Sequence, residues 1–192
     1  MKIDQYPAIT TVSNDDLLLV ETISDSAYKK VSKANLLAGI SGGGLLISQL
    51  ADIRPNGVSA GSAIQNTWTS RTINTVRSDD IGLTLANNTI TLGTGKYYLN
   101  CNAEFYLPVA ARLRLQNTSN NSTVLLGMAS YSYASYEATD CHLSGVFSLE
   151  SSSNLQIQYY FYGSNLQVHN LGVNSACGVD KVYLLADIFK VG

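Results

Sequence analysis

The stretch KYYLNCNAEFYL, residues 96–107, alternates without interruption between two sets of side chains. The apolar set comprises Tyr97, Leu99, Cys101, Ala103 and Phe105. The set that mixes aromatic, amide and acidic groups comprises Tyr98, Asn100, Asn102, Glu104 and Tyr106. Because successive side chains of an extended chain point to opposite sides, this pattern predicts a β-strand with one face in a hydrophobic core.

Further segments with the composition of β-strands follow this stretch. They are ARLRLQN, TVLLGMAS, LSGVFSLE, NLQIQYYFYG and DKVYLLADIFKVG. Short strands separated by polar turns are typical of antiparallel sandwiches and jelly rolls. The sequence therefore predicts a mainly β protein, with an antiparallel jelly-roll β-sandwich as its head domain and almost no helix in that domain.

The second faces of the long strands are too aromatic for a plain solvated surface and too rich in amides for a dry core. Mixed aromatic and amide surfaces are typical of subunit interfaces. We interpret these faces as an interface, the alternative being an ordinary solvated strand face. The residues assigned to it are Asn100, Asn102, Glu104, Gln158, Tyr160, Tyr162, Tyr183 and Phe189.

The segment before the head reads as a small separate module. LLLVET and YKKVS, joined by the turn-forming SDSA, predict a β-hairpin, and KANLLAGI predicts a short helix capped by Ser32. Three consecutive glycines, residues 42–44, then predict a hinge. We divide the chain into an N-terminal module (1–40), a glycine-rich hinge and lead-in (41–62) and the head (63–192). About 40 residues form too small a core to be stable alone, so the module needs a partner or oligomerisation.

The composition argues against several classes of function. Only 14% of the 192 residues are charged, against about 25% in typical soluble domains. The net charge of −2 and the lack of a Lys/Arg run argue against nucleic acid as a partner. No apolar run approaches the roughly 20 residues of a membrane span, and residues 1–12 lack the apolar core of a secretion signal. We expect no membrane insertion, and folding in a reducing cytosol.

The sequence offers little for catalysis or for a cofactor. Cys101, Cys141 and Cys177 are odd in number and far apart in the sequence, which argues against a disulfide framework and against a paired metal site. His142 follows Asp140 and Cys141 directly, but neighbours in a strand point to opposite faces and do not converge on a substrate. His169 reads as a surface or interface residue. We expect no enzyme activity, no metal and no cofactor.

The order of several motifs resembles that of a known family. GTGKYYLNCNAEF, RLRLQNTSNNSTVLLG, LSGVFSLESSSNLQIQYY and VYLLADIFKV resemble the globular head of complement and tumour-necrosis-factor-type trimers, in particular the version in bacteriophage fibre proteins. TWTSRTIN resembles the Trp-x-x-Arg-x-Leu-Asn stretch that often precedes this head in phage proteins, with Ile73 in place of leucine. NDDLLLVETISDSAYKKVSKANLL resembles the N-terminal module of phage tail proteins.

This resemblance implies a homotrimer in the virion whose N-terminal module attaches to other virion proteins and whose head faces outward. Phage fibres of this kind usually have a long shaft, whereas only a few residues separate module and head here, so the object would be a short knob. Trp68 and Arg71 are expected to be structural. The tryptophan would fill the core or the base of the trimer, and the arginine would cover its ring.

The segment YSYASYE, residues 131–137, is the best candidate for receptor contact. Tyrosines among small residues are typical of binding surfaces, and Tyr131, Tyr133, Tyr136 and Glu137 could contact a host-surface glycan or protein. The alternative is that Tyr131 and Tyr133 point into the sandwich or toward a neighbouring subunit. The sequence thus predicts a tail-fibre or baseplate adhesin. The alternatives are a capsid decoration or head-fibre trimer with a purely structural role and, more remotely, a glycan-cleaving enzyme.

Overall fold

The computed structural model describes residues 17–22, 27–32, 45–132, 137–163, 168–175 and 177–191. The chain divides after Gly44 into two compact units, Met1–Gly44 and Leu45–Gly192. The described residues form β-strands and no helix. Consequently none of the described residues form a helix that could span a membrane.

The first unit contains the predicted hairpin. Strands β1 (Leu17–Thr22) and β2 (Ala27–Ser32) pair antiparallel, with Leu17 opposite Ser32 and Thr22 opposite Ala27. The predicted helix KANLLAGI and the three glycines lie outside the described residues.

The second unit is a two-sheet sandwich. Its strands are, in chain order, β3 (Leu46–Arg54), β4 (Trp68–Ser70), β5 (Thr75–Asp79), β6 (Thr84–Ala86), β7 (Thr89–Leu92), β8 (Gly95–Tyr106), β9 (Ala110–Asn117), β10 (Ser122–Tyr131), β11 (Ala138–Leu149), β12 (Ser153–Tyr162) and β13 (Lys181–Lys190). Sheet I has the order β10-β9-β12-β7-β6, with β4 paired to β12 beside β7. Sheet II has the order β11-β8-β13-β3-β5.

The chain crosses repeatedly between the two sheets. After β8 in sheet II it forms β9 and β10 in sheet I, returns to sheet II as β11, and then places β12 in sheet I and β13 in sheet II. All strand pairs are antiparallel. The predicted antiparallel jelly-roll sandwich is confirmed.

The core lies between the inner faces of the two sheets. All five residues of the apolar set of β8 are buried, as are Leu155, Ile157, Tyr159 and Phe161 of β12. Across the sandwich the Phe105 ring lies 5.8 Å from that of Tyr159 and 6.2 Å from that of Phe161, measured between ring centroids. The period-two pattern therefore identified the buried face of both strands correctly.

Residues 46–54 differ from the expectation for them. The glycines before them predict a lead-in to the head, but these residues form β3, which lies between β13 and β5 in sheet II. Leu50 is fully buried in the core. The head therefore begins near Leu45 and not at residue 63.

A bulge in β13 changes which side chains of that strand are buried. The pairing register with β3 shifts between Val182 and Leu184. As a result Tyr183 and Leu184 are both buried, although strict alternation would place them on opposite faces. The Tyr183 hydroxyl donates to the carbonyl of Val58 at 2.9 Å.

Candidate binding surfaces

The outer face of sheet I carries no acidic side chain on its strands. Its only charged strand residues are Arg112 and Arg114 of β9. All acidic residues in the strands of the sandwich belong to sheet II, namely Asp52, Asp79, Glu104, Asp140 and Asp187. The strands of sheet I therefore carry only positive charge, whereas those of sheet II carry charges of both signs.

A hydrogen-bonded cluster covers the middle of the sheet I face. Arg114 lies over the indole ring of Trp68, with 4.3 Å from its guanidinium carbon to the ring centroid. Its Nε and Nη2 donate to Gln158 Oε1 at 2.9 and 2.7 Å, and its Nη1 donates to Thr123 Oγ1 at 3.2 Å. Trp68 also packs against Tyr160 at 5.6 Å between centroids. Partial burial lowers the pKa of Arg114 by desolvation. Gln158 and Thr123 accept hydrogen bonds from three of its guanidinium nitrogens.

Beside this cluster two exposed tyrosines flank small residues. Ala110 of β9 is paired on one side with Tyr131 of β10 and on the other with Tyr162 of β12. Tyr131 is 60% exposed and Tyr162 is 52% exposed. In the adjacent outward row Arg112 is paired with Ala129. We call these five residues the tyrosine subsite.

The outer face of sheet II has a row of apolar side chains across four strands. The register places Val146 of β11 opposite Tyr98 of β8, Tyr98 opposite Phe189 of β13, and Phe189 opposite Ile47 of β3. The rings of Tyr98 and Phe189 are 5.8 Å apart between centroids. Val146 is 54% exposed and Tyr98 is 36% exposed. We call these four residues the apolar row.

Polar pairs occupy the two outward rows that follow the apolar row. Gln49 Nε2 donates to Asp187 Oδ1 at 2.6 Å, and His142 Nδ1 lies 2.9 Å from Asn102 Oδ1. Further along, a depression of about 240 Å³ is lined by residues of β8 and β13 and by Asp140 of β11. This face thus combines an apolar stripe with satisfied polar pairs, as subunit interfaces do.

The residues predicted as one interface fall on both sides of the sandwich. The outer face of sheet II carries Asn100, Asn102 and Phe189, whereas the outer face of sheet I carries Gln158, Tyr160 and Tyr162. One flat contact therefore cannot contain all of them, because the core separates the two groups. Sequence alternation gives inward and outward positions but does not say which sheet a strand joins.

Two members of the predicted interface serve contacts within the chain. The bulge in β13 puts Tyr183 in the core, 1% exposed, so its assignment to the interface is wrong. Glu104 is half-buried and forms a salt bridge to Lys181 Nζ at 2.8 Å. Its Oε1 also accepts a hydrogen bond from the backbone nitrogen of Val173 at 3.0 Å. Its carboxylate thus holds the segment that precedes β13.

Arg71 has a position different from that expected, and of the two positions expected for Trp68 the core is excluded. Trp68 is half-buried on the outer face of sheet I and is not a core residue, because its partner Tyr160 points outward. Arg114, and not Arg71, covers its ring. Arg71 is fully buried, 5.2 Å from the centroid of Phe105.

Arg71 instead fastens residues 168–175 to the sandwich. Its Nη2 donates to the carbonyls of Glu104 and Tyr183 at 3.0 and 3.3 Å and also to that of Leu171. Desolvation lowers its pKa to about 10 despite the favourable charge of Asp52. Burial likewise raises the pKa of Asp52, against the lowering effect of Arg54 and Arg71.

The cysteine–histidine sequence of β11 does not converge on one face. Cys141 is fully buried in the core, while His142 and Asp140 are exposed on the outer face of sheet II. Burial raises the pKa of the Cys141 thiol, and it raises that of Cys101 to about 12. Within the described residues no group of three or more His, Cys, Asp or Glu side chains could hold a metal ion.

The predicted receptor-contact segment is described only in part. Tyr131 ends β10 on the outer face of sheet I, and Glu137 is exposed and accepts a hydrogen bond from Ser132 Oγ at 2.8 Å. Tyr133 and Tyr136 lie outside the described residues. The sequence does not predict Tyr162 as a neighbour of Tyr131, because their strands are separated along the chain and are connected in the sheet only through β9.

Comparison with known proteins identifies the class of fold. No protein-family model matches the chain, and no curated protein matches its sequence. Among solved structures, the globular domain of zebrafish complement 1qA protein is similar with a TM-score of 0.51 and 14% identity, over 78% of this chain and 98% of that one. Murine APRIL at pH 8.0 and at pH 5.0 is similar with a TM-score of 0.47 and 13% identity in both cases, over 77% of this chain and all of that one.

The second unit is therefore a jelly-roll sandwich of the complement globular-domain type. At this level of identity the likeness extends to the fold and not to a ligand or partner.

Proposed function

We propose that the chain is a non-catalytic binding protein of a phage virion, a short homotrimeric tail-fibre or baseplate knob. In this proposal the outer face of sheet II packs around the three-fold axis, and the outer face of sheet I is presented to a receptor on the host surface. The observation that carries the proposal is the contrast between the two faces.

The sheet II face supports the assembly. The apolar row runs across four neighbouring strands, and two of its members are more than a third exposed in the single chain. Contiguous apolar patches on a soluble chain mark contact surfaces. The polar pairs Gln49–Asp187 and His142–Asn102 lie in the next two outward rows and are hydrogen-bonded within the chain, so covering them would leave few unpaired groups. A second and third copy are the occupants we propose.

The sheet I face supports receptor binding. Its cluster around Trp68 and Arg114 is held by stacking and by hydrogen bonds, which makes it a rigid platform. Tyr131 and Tyr162 remain exposed beside this platform. Rigid aromatic side chains provide contact area at a small cost in conformational entropy. Three copies of such a face would reinforce one another through avidity.

The placement in a phage virion rests on the sequence resemblance described above. The hairpin β1–β2 within residues 1–40 is the part that we propose attaches to other virion proteins. Attachment there would place the protein in the virion after assembly in the host cytoplasm.

The proposal is tested by combining the solution mass with binding to bacterial surfaces. We expect the full chain to have the mass of a trimer by light scattering and to bind cells or envelope fractions of a susceptible strain. A Tyr131→Ala/Tyr162→Ala variant should keep the trimer mass and lose most of this binding. The matched control, Ser152→Ala in the exposed turn before β12, should change neither quantity.

Two results would overturn the proposal. A monomeric wild-type chain would remove the role given to the sheet II face. Equal binding by the wild-type and double-variant proteins would remove the role given to the sheet I face. Immunogold labelling of particles distinguishes the tail position proposed here from a capsid decoration with a structural role.

A further inference from the structure

The tyrosine subsite has features that define the chemistry of its ligand. Neighbouring strands are about 4.8 Å apart, so the Cα atoms of Tyr131 and Tyr162, two strands apart, are separated by roughly 10 Å. Ala110 lies between them. Tyr131 and Tyr162 are both exposed on either side of the Ala110 methyl group. A spacing of roughly 10 Å between their Cα atoms suits one six-membered ring placed between two aromatic side chains.

Arg112 is the cation of this subsite. It is half-buried on the outer face of β9, between Ala129 and Tyr160. Its Nε donates to the carbonyl of Gly127 in β10, which fixes the guanidinium against that strand. No described residue accepts a hydrogen bond from its Nη1 or Nη2. A held guanidinium with two nitrogens that no described side chain or carbonyl occupies is suited to bind a planar carboxylate through two parallel hydrogen bonds.

The charges of the surrounding face favour an anion at Arg112. The strands of sheet I contain no acidic residue. The other arginine of the sheet, Arg114, already donates to Gln158 and Thr123 and stacks on Trp68. Glu137 accepts from Ser132, which follows Tyr131 and therefore lies beyond it, on the side away from Arg112.

We propose that the tyrosine subsite binds a carboxylate-bearing sugar residue of a surface polysaccharide. The sugar ring lies over Ala110 between the two tyrosines, and its carboxylate binds Arg112. This inference names the ligand class for the receptor-binding face and rests on the proposed function. Small-ligand sites of this kind combine apolar walls with a few polar groups that fix the orientation.

The test compares acidic polysaccharides with their neutral counterparts. The immobilised full chain is titrated with polygalacturonate, alginate, hyaluronate and polysialate, each paired with its carboxyl-reduced form, and with inorganic phosphate. We expect at least one acidic polymer to bind and its reduced form to bind tenfold to a hundredfold more weakly, the range for hydrogen bonds to a charged group. Inorganic phosphate should not compete, because it provides no ring for the tyrosines.

Arg112→Gln should abolish the preference for the acidic form, while Arg112→Lys should retain part of it, since lysine keeps the charge without the fork. Arg77→Gln is the matched control, because it removes the same charge from exposed strand β5 of sheet II and should leave the preference unchanged. The thermal midpoint and solution mass of each variant report whether it is folded and assembled.

The inference is overturned if the acidic and reduced polymers bind equally, if Arg112→Gln keeps the preference, or if phosphate displaces the polymer. It is also overturned if none of the acidic polymers binds. The proposed function survives each of these outcomes when the protein still binds host cells through Tyr131 and Tyr162.

Discussion

The outer faces of sheet I and sheet II share one strand geometry but differ in how far each is completed within a single chain. On sheet I, Arg114 satisfies Gln158, stacks on Trp68 and leaves little of the central cluster unpaired. On sheet II, the polar rows are paired, but the apolar row around Tyr98 and Phe189 stays partly exposed. Sheet I also exposes Leu126 and Met128 on its edge strand β10. The two faces therefore differ in their central regions, where sheet I has a paired cluster and sheet II has the apolar row, which we propose is covered by neighbouring copies.

The inner faces also differ. Sheet II buries Asp52 on its inner side, where it interacts electrostatically with the buried Arg71. The strands of sheet I contribute no charged residue to the core. Sheet II therefore carries a buried charge on its inner face and a partly exposed apolar row on its outer face.

The largest effect is expected from charge placed in the apolar row. Phe189→Asp should dissociate the assembly into monomers, because an unpaired carboxylate buried at an interface costs about 3–5 kcal/mol. The measurement is the solution mass by light scattering. Tyr162→Asp is the matched control on the other sheet and should keep the trimer mass. If Tyr162→Asp dissociated the assembly and Phe189→Asp did not, the roles of the two faces would be exchanged.

The fold was largely predictable from the sequence, because it depends on patterns that are local. The alternation in residues 96–107 and in NLQIQYYFYG identified the core faces of β8 and β12, and the Asn87-Asn88 turn with positive φ closes the β6–β7 hairpin as such pairs do. The strand β3 was missed because LISQLADIR follows directly on glycines that read as a hinge.

The candidate site was less predictable, because it depends on which strands become neighbours. Tyr131 was identified from its local composition, but its pairing with Tyr162 through Ala110 requires the strand order β10-β9-β12. The stacking of Arg114 on Trp68 joins residues far apart in sequence. The burial of Tyr183 depends on a bulge in β13 that no glycine or other turn-forming residue in that strand predicts.

A second, smaller effect is expected where the edges of the two sheets meet. A Cβ on Gly127 of β10 would lie 2.5 Å from the carbonyl oxygen of His142 in β11 and 3.2 Å from that of Leu113. Because both neighbours are backbone, Gly127→Ala should destabilise the head by about 1–3 kcal/mol, as overpacking does. The measurement is denaturant unfolding.

Gly93→Ala is the control, since a Cβ there meets no atom within 4 Å. Equal stability of the Gly127→Ala and wild-type proteins would mean that the edges of the two sheets can separate freely. The contact between β10 and β11 would then not fix the positions of the two outer faces relative to each other.

A third effect concerns the cluster that completes the sheet I face. Arg114→Lys keeps the charge but loses the planar group over Trp68 and the paired bonds to Gln158. We expect a loss of about 0.5–1 kcal/mol in the free energy of unfolding, the usual value of an exposed cation–π contact. The same change at exposed Arg77 should have no measurable effect. A neutral result at Arg114 would show that the cluster does not stabilise the fold.

The smallest effect concerns the buried carboxylate of sheet II and depends on pH. Burial raises the pKa of Asp52 above 3.8, outweighing the attraction of Arg54 and Arg71. Between the raised value and 3.8 the folded protein binds a proton that the unfolded chain does not, so folding is favoured as the pH falls through this window. Asp52→Asn removes this titration.

The free energy of unfolding of the wild type, relative to Asp52→Asn, should therefore rise as the pH is lowered from about 7 to about 4, and should level off below the unfolded value. Urea unfolding of both proteins across this range measures the difference. A difference that falls with decreasing pH would show that the arginines outweigh burial. Asp52 would then stabilise sheet II through its interaction with the arginines, and the buried carboxylate would not be a cost to the inner face of sheet II.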